Sequence, residues 1–473
     1  MSLVSTSLLS TSPVSTSLIC ESAHAKGVYL ISAASYPEWF KTQTTTVRTW
    51  LKASGFNPKN GEVALLPDSD GGLSGVLVIN GASNLYALSK LPLTLPVGVY
   101  RLADEIALPI AERLALGWCL GADRFTRYKK KSNESAQLVL PDAAAYERVL
   151  QLAAAVTGAR ALVNTPAQDL GPQQLSAFVA DIAQRYSATF SEIVGEDLLA
   201  QNFPAIHAVG RASHRPPRLL ELNWQHAKSD ASTPLLVLVG KGVCFDTGGL
   251  DMKASDGMAL MKKDMGGSAV AIMLAQLVMQ FRLKVRLKLL VPAVENAVGP
   301  MSYRPGDVIA TRSGQSVEIG NTDAEGRVVL CDALTYAVEA KPALILDFAT
   351  LTGAARIALG PDLPATFCHD DELVHALIVA GTSVQDPLWR MPLWADYQRM
   401  IDSPIADINN AGSSRMAGAI TAALYLDRFV PKAIPWVHID TYCWNDTEQP
   451  GRPKGGACQG LRAAFTYLSA RFS

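Results

Sequence analysis

The feature that most constrains this chain is an apolar run, Leu235-Leu236-Val237-Leu238-Val239, followed at once by 240-GKGVCFDTGGLDMKASDGMALMKKDMGG-267. A run that short and β-branched predicts a buried strand. Gly240, Gly242, Gly248 and Gly249 then predict a loop where backbone turns sharply or approaches a partner closely. Charged side chains just past a buried strand suit an α/β architecture, in which open sheets bind ligands beyond the carboxyl ends of their strands. A second segment, 321-NTDAEGR-327, is also rich in carboxylates. Together the two segments place Lys241, Asp246, Lys253, Asp264, Asp323, Glu325 and Arg327 around one expected site.

The remaining chain reads as alternating elements. Strands are predicted at 28–35, 62–67, 76–80 and 97–102, with helices at 44–55, ending on Gly55, and at 112–121. Residues 143–164, rich in Ala and Leu up to the Asn164-Thr165-Pro166 break, predict a long connecting helix. After it, helices at 172–186, 265–281, 328–340, 372–381 and 417–430 are interspersed with strands at 205–209, 219–223, 285–293, 343–348 and 436–439. Such alternation over roughly 300 residues argues for a mostly parallel sheet covered on both faces. The expected fold class is therefore α/β. A smaller N-terminal α/β domain (21–142) is joined by the long helix (143–164) to a larger C-terminal α/β domain (165–473) with a mixed, mostly parallel sheet. Ahead of these, residues 1–20 hold ten Ser or Thr and predict a disordered arm. No basic stretch precedes an unbroken apolar core there, so a signal peptide is a poor reading.

Composition narrows the function. Length alone, at 473 residues, favours two or three domains. Lys plus Arg is 42 against 43 Asp plus Glu, so the net charge of −1 makes no electrostatic case for nucleic acid as the main partner. The cluster 124-RFTRYKKK-131 mixes bases with aromatics, but reads as a solvated turn. No apolar run approaches the roughly 18–20 residues that span a bilayer. The seven cysteines are scattered and form no CxxC pair, which predicts reduced thiols and a cytoplasmic setting.

Common motifs fail here. Gly240-Lys241 resembles the end of a phosphate loop, but Leu235 stands where its first Gly belongs and Gly242 replaces the Ser or Thr that binds metal. A dinucleotide fingerprint fails at Phe245, the place of its third Gly. There is no G-x-S-x-G elbow and no H-E-x-x-H helix. His438 and Asp440 share one face of a strand without needing catalysis, and His438 reads as structural. Singly, the charged residues have ordinary explanations as well: Asp246 as a turn cap, Asp264 as a helix N-cap, Lys253 as a loop lysine. Their conjunction changes the reading. An extended 323–327 would put Asp323, Glu325 and Arg327 on one side. Four converging carboxylates repel unless cations are present. Oxygen-rich sites suit divalent metals, and several shared carboxylates favour two ions.

VGKGVCFDTGGLDMKASDGMALMKKDMGG and NTDAEGR resemble the signature segments of the leucine (cytosol) aminopeptidase family. The likeness extends to 117-GWCLGADRFTRYKK-130, 162-LVNTPAQDLGP-172, 347-DFATLTGA-354 and 417-AGAITAAL-424. The resemblance implies two divalent ions per subunit, Zn²⁺ or Mn²⁺. Lys241, Asp246, Asp264 and Glu325 would hold one ion, and Asp246, Asp323 and Glu325 the other. Lys253 and Arg327 would be catalytic, with a bicarbonate beside Arg327 as general base. Met261, Thr350, Leu351 and Gly353 would line the pocket for the first side chain. The family further implies a C-terminal catalytic domain, peptide substrates with leucine or another apolar residue at the N-terminus, a water activated between the two ions, and a homohexamer.

A lysine ligates only as the neutral amine, which asks for a shift of about 3–4 units from its ordinary pKa, roughly 4–5 kcal/mol. A dipositive ion in a desolvated site can supply that. Two other readings stay open on the sequence: a DNA-binding or architectural protein that retains this fold, and a different two-metal hydrolase such as a dipeptidase.

Overall fold

The structure, a computed structural model, describes residues 14–129 and 134–473. Most of the expected arm, residues 1–13, and Lys130 and Lys131 of the basic cluster lie outside the described residues. The chain divides into two compact units. One holds the described residues up to Thr157 together with Thr447–Lys454, and the other holds Gly158–Asp446 and Gly455–Ser473. Helix Ala143–Asn164 runs through the division.

In the first unit six strands form one sheet, in the order Leu18–Ile19, Gln137–Val139, Val99–Leu102, Lys26–Ile31, Leu73–Ile79, Val63–Pro67. Every pairing is parallel except the last. Helix Thr45–Ala53 covers one face, packing Val47 and Leu51 onto Leu66, Leu77 and Ile79.

The second unit is built on a nine-stranded sheet. Its path runs Trp389–Arg390, Ala365–Phe367, Trp436–Asp440, Leu344–Ala349, Leu235–Gly240, Arg286–Asn296, Arg218–Gln225, Thr189–Val194. The ninth strand, Gly242–Asp246, continues from Leu235–Gly240 and pairs in parallel with the end of Arg286–Asn296. The central pairings are parallel, while the two strands beyond Arg286–Asn296 and the Ala365–Phe367 pairing with Trp436–Asp440 are antiparallel. The architecture is thus the expected α/β fold with a mixed, mostly parallel sheet.

Its centre is dry. Leu236–Val239 and Leu344–Leu346 are fully buried, and helix Gly266–Gln280 buries every residue but its last. Each large apolar side chain so buried contributes about 1.5–3 kcal/mol relative to exposure. Among the described residues no helix is long and apolar enough to cross a membrane, and all seven cysteines are free.

Five local expectations change. Residues 18–19, expected within a disordered arm, form a strand that pairs with Leu138 and Val139, and Leu18 is fully buried because its side chain enters that sheet's core. Residues 205–209, expected as a strand, lie in helix Pro204–Gly210. Pro204 presets the first turn, and the buried Asp332 carboxylate accepts hydrogen bonds from the backbone N–H of Ala205 (2.8 Å) and Ile206 (3.2 Å). A five-residue apolar run carries no period that separates strand from helix. Residues 323–327 are not extended, because helix Glu325–Glu339 begins at Glu325. Glu325 and Arg327 therefore leave its first turn in different directions. The stretch expected as loop from Gly240 contains the strand Gly242–Asp246. Asp264 caps no helix: it sits in the 3₁₀ turn Met261–Met265, and its carboxylate is used elsewhere.

Candidate metal centre

The charged residues meet where the central strands end. Lys241 follows strand Leu235–Gly240, and Asp246 closes strand Gly242–Asp246. Thr350 follows strand Leu344–Ala349, and Asp440 closes strand Trp436–Asp440. Asp264 and Met261 come from the 3₁₀ turn, Asp323 from the loop ahead of helix Glu325–Glu339, and Glu325 from its first turn.

Lys241 is only 3% exposed. Its Nζ lies 2.8 Å from Asp264 Oδ2 and 2.7 Å from Glu325 Oε1, and it donates to the Thr350 carbonyl at 3.0 Å. The carboxylate contacts are charge to charge, since neither oxygen has a hydrogen-bond partner among the described residues. The lysine stem lies against Gly326, where a Cβ would fall 2.6 Å from Lys241 Cε and 2.7 Å from Nζ. Lys253 forms a second bridge: its Nζ is 2.8 Å from Asp246 Oδ2 and is also ion-paired with Asp323.

The frame around these groups is polar and connected. Asp246 Oδ1 accepts from Gly248 N–H and from Asn296 Nδ2, both at 2.8 Å. Gly248 has φ +87°, and a Cβ there would lie 2.9 Å from Asp323 Oδ1, so only glycine suits this turn. Asn296 also donates to the Thr322 carbonyl at 3.0 Å, and Tyr303 donates to the same oxygen at 2.7 Å. Thr350 Oγ1 donates to Asp264 Oδ1 at 2.8 Å. Arg327 Nη1 donates to the Asn410 carbonyl at 2.8 Å, while its buried Nε has no hydrogen-bond partner among the described residues.

Electrostatics follow from burial and crowding. Burial, then the neighbouring Asp264 carboxylate, pushes Asp246 up to about 6. Burial and Asp246 together hold Glu325 well above the usual carboxylate range. Burial alone would lower the Lys241 ammonium, but Asp264, Glu325 and Asp246 outweigh it and raise that group above its ordinary value. Lys253 is raised for the same kind of reason, with burial opposed by Asp246 and Glu325. The raised carboxyls of Asp246 and Glu325 show that the ammoniums at hand do not fully relieve the crowding of four carboxyl groups.

That imbalance tests the site against a metal. Oxygens of Asp246, Asp323 and Glu325 lie within 4.8 Å of one another. Carboxylate oxygens that meet cations without hydrogen-bond geometry, in a buried cradle still short of positive charge, fit a divalent ion.

All eleven expected site residues can be located. Lys241, Asp246, Lys253, Asp264, Asp323 and Glu325 form one cluster, which Thr350 joins through Asp264 and Lys241. Met261 and Leu351 are half-buried nearby in the chain, and Gly353 is exposed. Arg327 instead points to Asn410. His438 is fully buried, and its Nδ1 meets Asp347 Oδ1 at 2.6 Å on the neighbouring strand. Asp440 accepts from Leu351 N–H (3.0 Å) and from the Thr352 hydroxyl (2.7 Å), so it holds the 350–353 loop. Of the basic cluster, Arg124 donates to the Asp123 carbonyl and pairs with Glu448.

Sequence reasoning missed Asn296, Thr322, Gly326, Asn410 and Asp440 as supports of the site. Gly326 and Thr322 lie inside the NTDAEGR segment and were within reach, whereas Asn296 and Asn410 are ordinary asparagines until the chain folds.

A carboxylate cradle with two lysines, at the carboxyl ends of a mixed α/β sheet, has the donor set that could hold a divalent ion. Comparisons make the class specific. The family model described as the cytosol aminopeptidase family, catalytic domain, matches residues 157–465, and that of the M17 aminopeptidase N-terminal domain matches 27–141. A probable cytosol aminopeptidase of Syntrophotalea carbinolica is 39% identical over 398 residues, covering 81% of this chain and 77% of the relative. Among solved structures, the cytosol aminopeptidase from Coxiella burnetii has a TM-score of 0.93 at 46% identity, over 97% of this chain and 100% of that one. The bottromycin maturation enzyme BotP in complex with Mn has a TM-score of 0.84 at 31% identity, over 95% and 100%. The chain belongs to the cytosol aminopeptidase family, whose members are metal-dependent aminopeptidases acting on peptides.

Proposed function

We propose that this chain removes N-terminal amino acids from peptides, preferentially leucine and other apolar residues, with two divalent ions, Zn²⁺ or Mn²⁺, per subunit. The observation that carries the reading is the single buried cradle of four carboxylates and two lysines. Lys241, Asp246, Asp264 and Glu325 would hold one ion, and Asp246, Asp323 and Glu325 the other. Ions bound there would supply a seat for the substrate's free amine and lower the pKa of the attacking water.

The remaining chemistry belongs to side chains. Lys241 must lose a proton to ligate, because an ammonium has no lone pair. Lys253, which its carboxylate neighbours hold charged, donates to the scissile carbonyl oxygen as negative charge grows there. Arg327, anchored by Asn410 and with its Nε unspent, would hold a small anion such as bicarbonate, which would supply a general base for the attacking water. Met261, Thr350, Leu351 and Gly353 line the pocket for the first side chain. Such an apolar lining separates Leu from a shorter residue by about 1–3 kcal/mol per methylene. A homohexamer in the cytoplasm completes the proposal. Light scattering checks the assembly, and a fully active monomer refutes it.

The central test is a panel of aminoacyl-arylamides with N-acetylated controls and defined metals. Dialysis against a chelator should abolish turnover, and Mn²⁺ or Zn²⁺ should restore it. Full activity without metal, or equal cleavage of an N-acetylated substrate, overturns the reading.

A further inference from the structure

Next to Asp264 in the 3₁₀ turn, Lys263 is only 7% exposed. Among the described residues no ion pair or hydrogen bond engages its ammonium; that group lies 4.6 Å from the centroid of the Tyr442 ring. The guanidinium of Arg356, on helix Gly353–Leu359, stands 4.6 Å from the same centroid, likewise with no carboxylate in ion-pair range among the described residues. The Tyr442 hydroxyl donates to Asp446 Oδ1 at 3.1 Å, and the Arg356 guanidinium also acts on that phenol. Two cations thus share one aromatic ring. Asp264, next in the chain to Lys263, opposes its charge, but the Asp264 carboxylate is already engaged by Lys241 and Thr350. A contact with one ring returns only part of the cost of desolvating two cations, so the spot has room for a further anion.

The position identifies what kind of anion. Met261 stands two residues before Lys263, and Gly353 opens the helix that carries Arg356. A Cβ added to Gly353 would meet nothing within 4 Å, so space is open there. Cys443, which follows Tyr442, packs against the same spot: a Cβ on Gly266 would lie 2.5 Å from Cys443 Cβ and 3.1 Å from Thr350 Cγ2. Arg356 thus stands one turn from Gly353, Tyr442 precedes the residue packed beside Thr350, and Lys263 joins them through the shared ring.

We propose that Lys263, Arg356 and Tyr442 form a carboxylate-recognising subsite of the substrate pocket, which takes the side-chain carboxylate of a glutamate or aspartate at the peptide's N-terminus. The inference rests on the aminopeptidase reading above and adds a substrate class to it. The near part of the pocket, at Met261 and Leu351, is apolar and suits leucine. A glutamate presents two methylenes to that part and its charge to Lys263. Glutamine has the same shape without the charge and is the natural control. The same chemistry has a second source, the C-terminal carboxylate of a dipeptide.

The test uses the metal-loaded full chain. kcat/KM is measured for Glu- and Gln-p-nitroanilide, and for Leu-Gly and Leu-Gly-amide, with wild type, Lys263→Met and Arg356→Gln. Calorimetric titration of free glutamate and free glutamine gives a readout that needs no turnover. Wild type should favour Glu over Gln by about tenfold, the scale of one charge-assisted contact. That ratio should collapse in Lys263→Met and fall about threefold in Arg356→Gln, whose exposed side chain also makes it the safer variant for folding. Added salt should shrink the preference. If only the Leu-Gly to Leu-Gly-amide ratio collapses, the subsite stands and its ligand is the peptide's C-terminus. If neither ratio differs from wild type in either variant, or wild type binds glutamate no tighter than glutamine and shows neither preference, the subsite is refuted. Turnover of Leu-p-nitroanilide keeps the two readings apart: its absence counts against the aminopeptidase, while the glutamate titration still judges the subsite.

Discussion

Gly326→Ala probes the metal centre without removing a single candidate ligand. The new methyl would sit 2.6 Å from Lys241 Cε and 2.7 Å from Nζ, well inside contact distance. A surface lysine would swing aside, but Lys241 is 3% exposed and held by Asp264, Glu325 and the Thr350 carbonyl. The methyl must therefore push the amine off its carboxylates or move the helix that starts at Glu325. Overpacking of this kind costs about 1–3 kcal/mol. If Lys241 is a ligand, its misplacement should also weaken metal binding about 10–100-fold, on the scale of losing a residue that orients a ligand, or roughly 1.4–2.8 kcal/mol. Thermal unfolding of the metal-free protein reads the first effect, and competition with a calibrated chelator reads the second. A variant with lowered metal-free stability but wild-type metal affinity would refute the assignment of Lys241 as a ligand.

The other predictions address the roles one at a time. Lys253→Ala should lower kcat by about 10²–10³-fold with little change in KM, and Arg327→Ala by only about 10–10²-fold. Both should keep two metals per subunit, and loss of metal from Lys253→Ala would overturn the division of roles. Asp264→Ala should lose metal as well as activity, measured by elemental analysis beside steady-state kinetics. Loading the metal-free protein should release protons. Lys241 gives up one at any pH near neutrality, and the raised carboxyls of Glu325 and of Asp246, the latter pushed up to about 6, add to it as pH falls. Protons compete with metal, so affinity should fall as pH falls and more steeply below about 6. An affinity independent of pH would mean that Lys241 does not ligate.

Some of this was determined locally by the amino-acid order. The run at 235–239 is apolar and β-branched because a parallel strand between two helical layers has no wet face, so its burial was legible residue by residue, whereas Asp347 within 343–348 is buried only because Trp436 and His438 meet it. The helix at Ala143–Asn164 needed only propensity and a break at its end. Carboxylates crowded into two short segments made a cation site legible as well, since like charges so close demand compensation. Tertiary structure decided the rest. Helix Pro204–Gly210 depends on a carboxylate 127 positions away, at Asp332. Whether Glu325 and Arg327 share a direction depended on where one helix starts, a choice between periods of two and 3.6 that seven residues cannot express. Asn296 and Asn410 became supports of the centre only when distant strands and loops brought them to Asp246 and Arg327. The cations at Lys263 and Arg356, 93 residues apart, met on one ring for the same reason: a sequence states which charges a chain carries, and only packing states which of them are brought together.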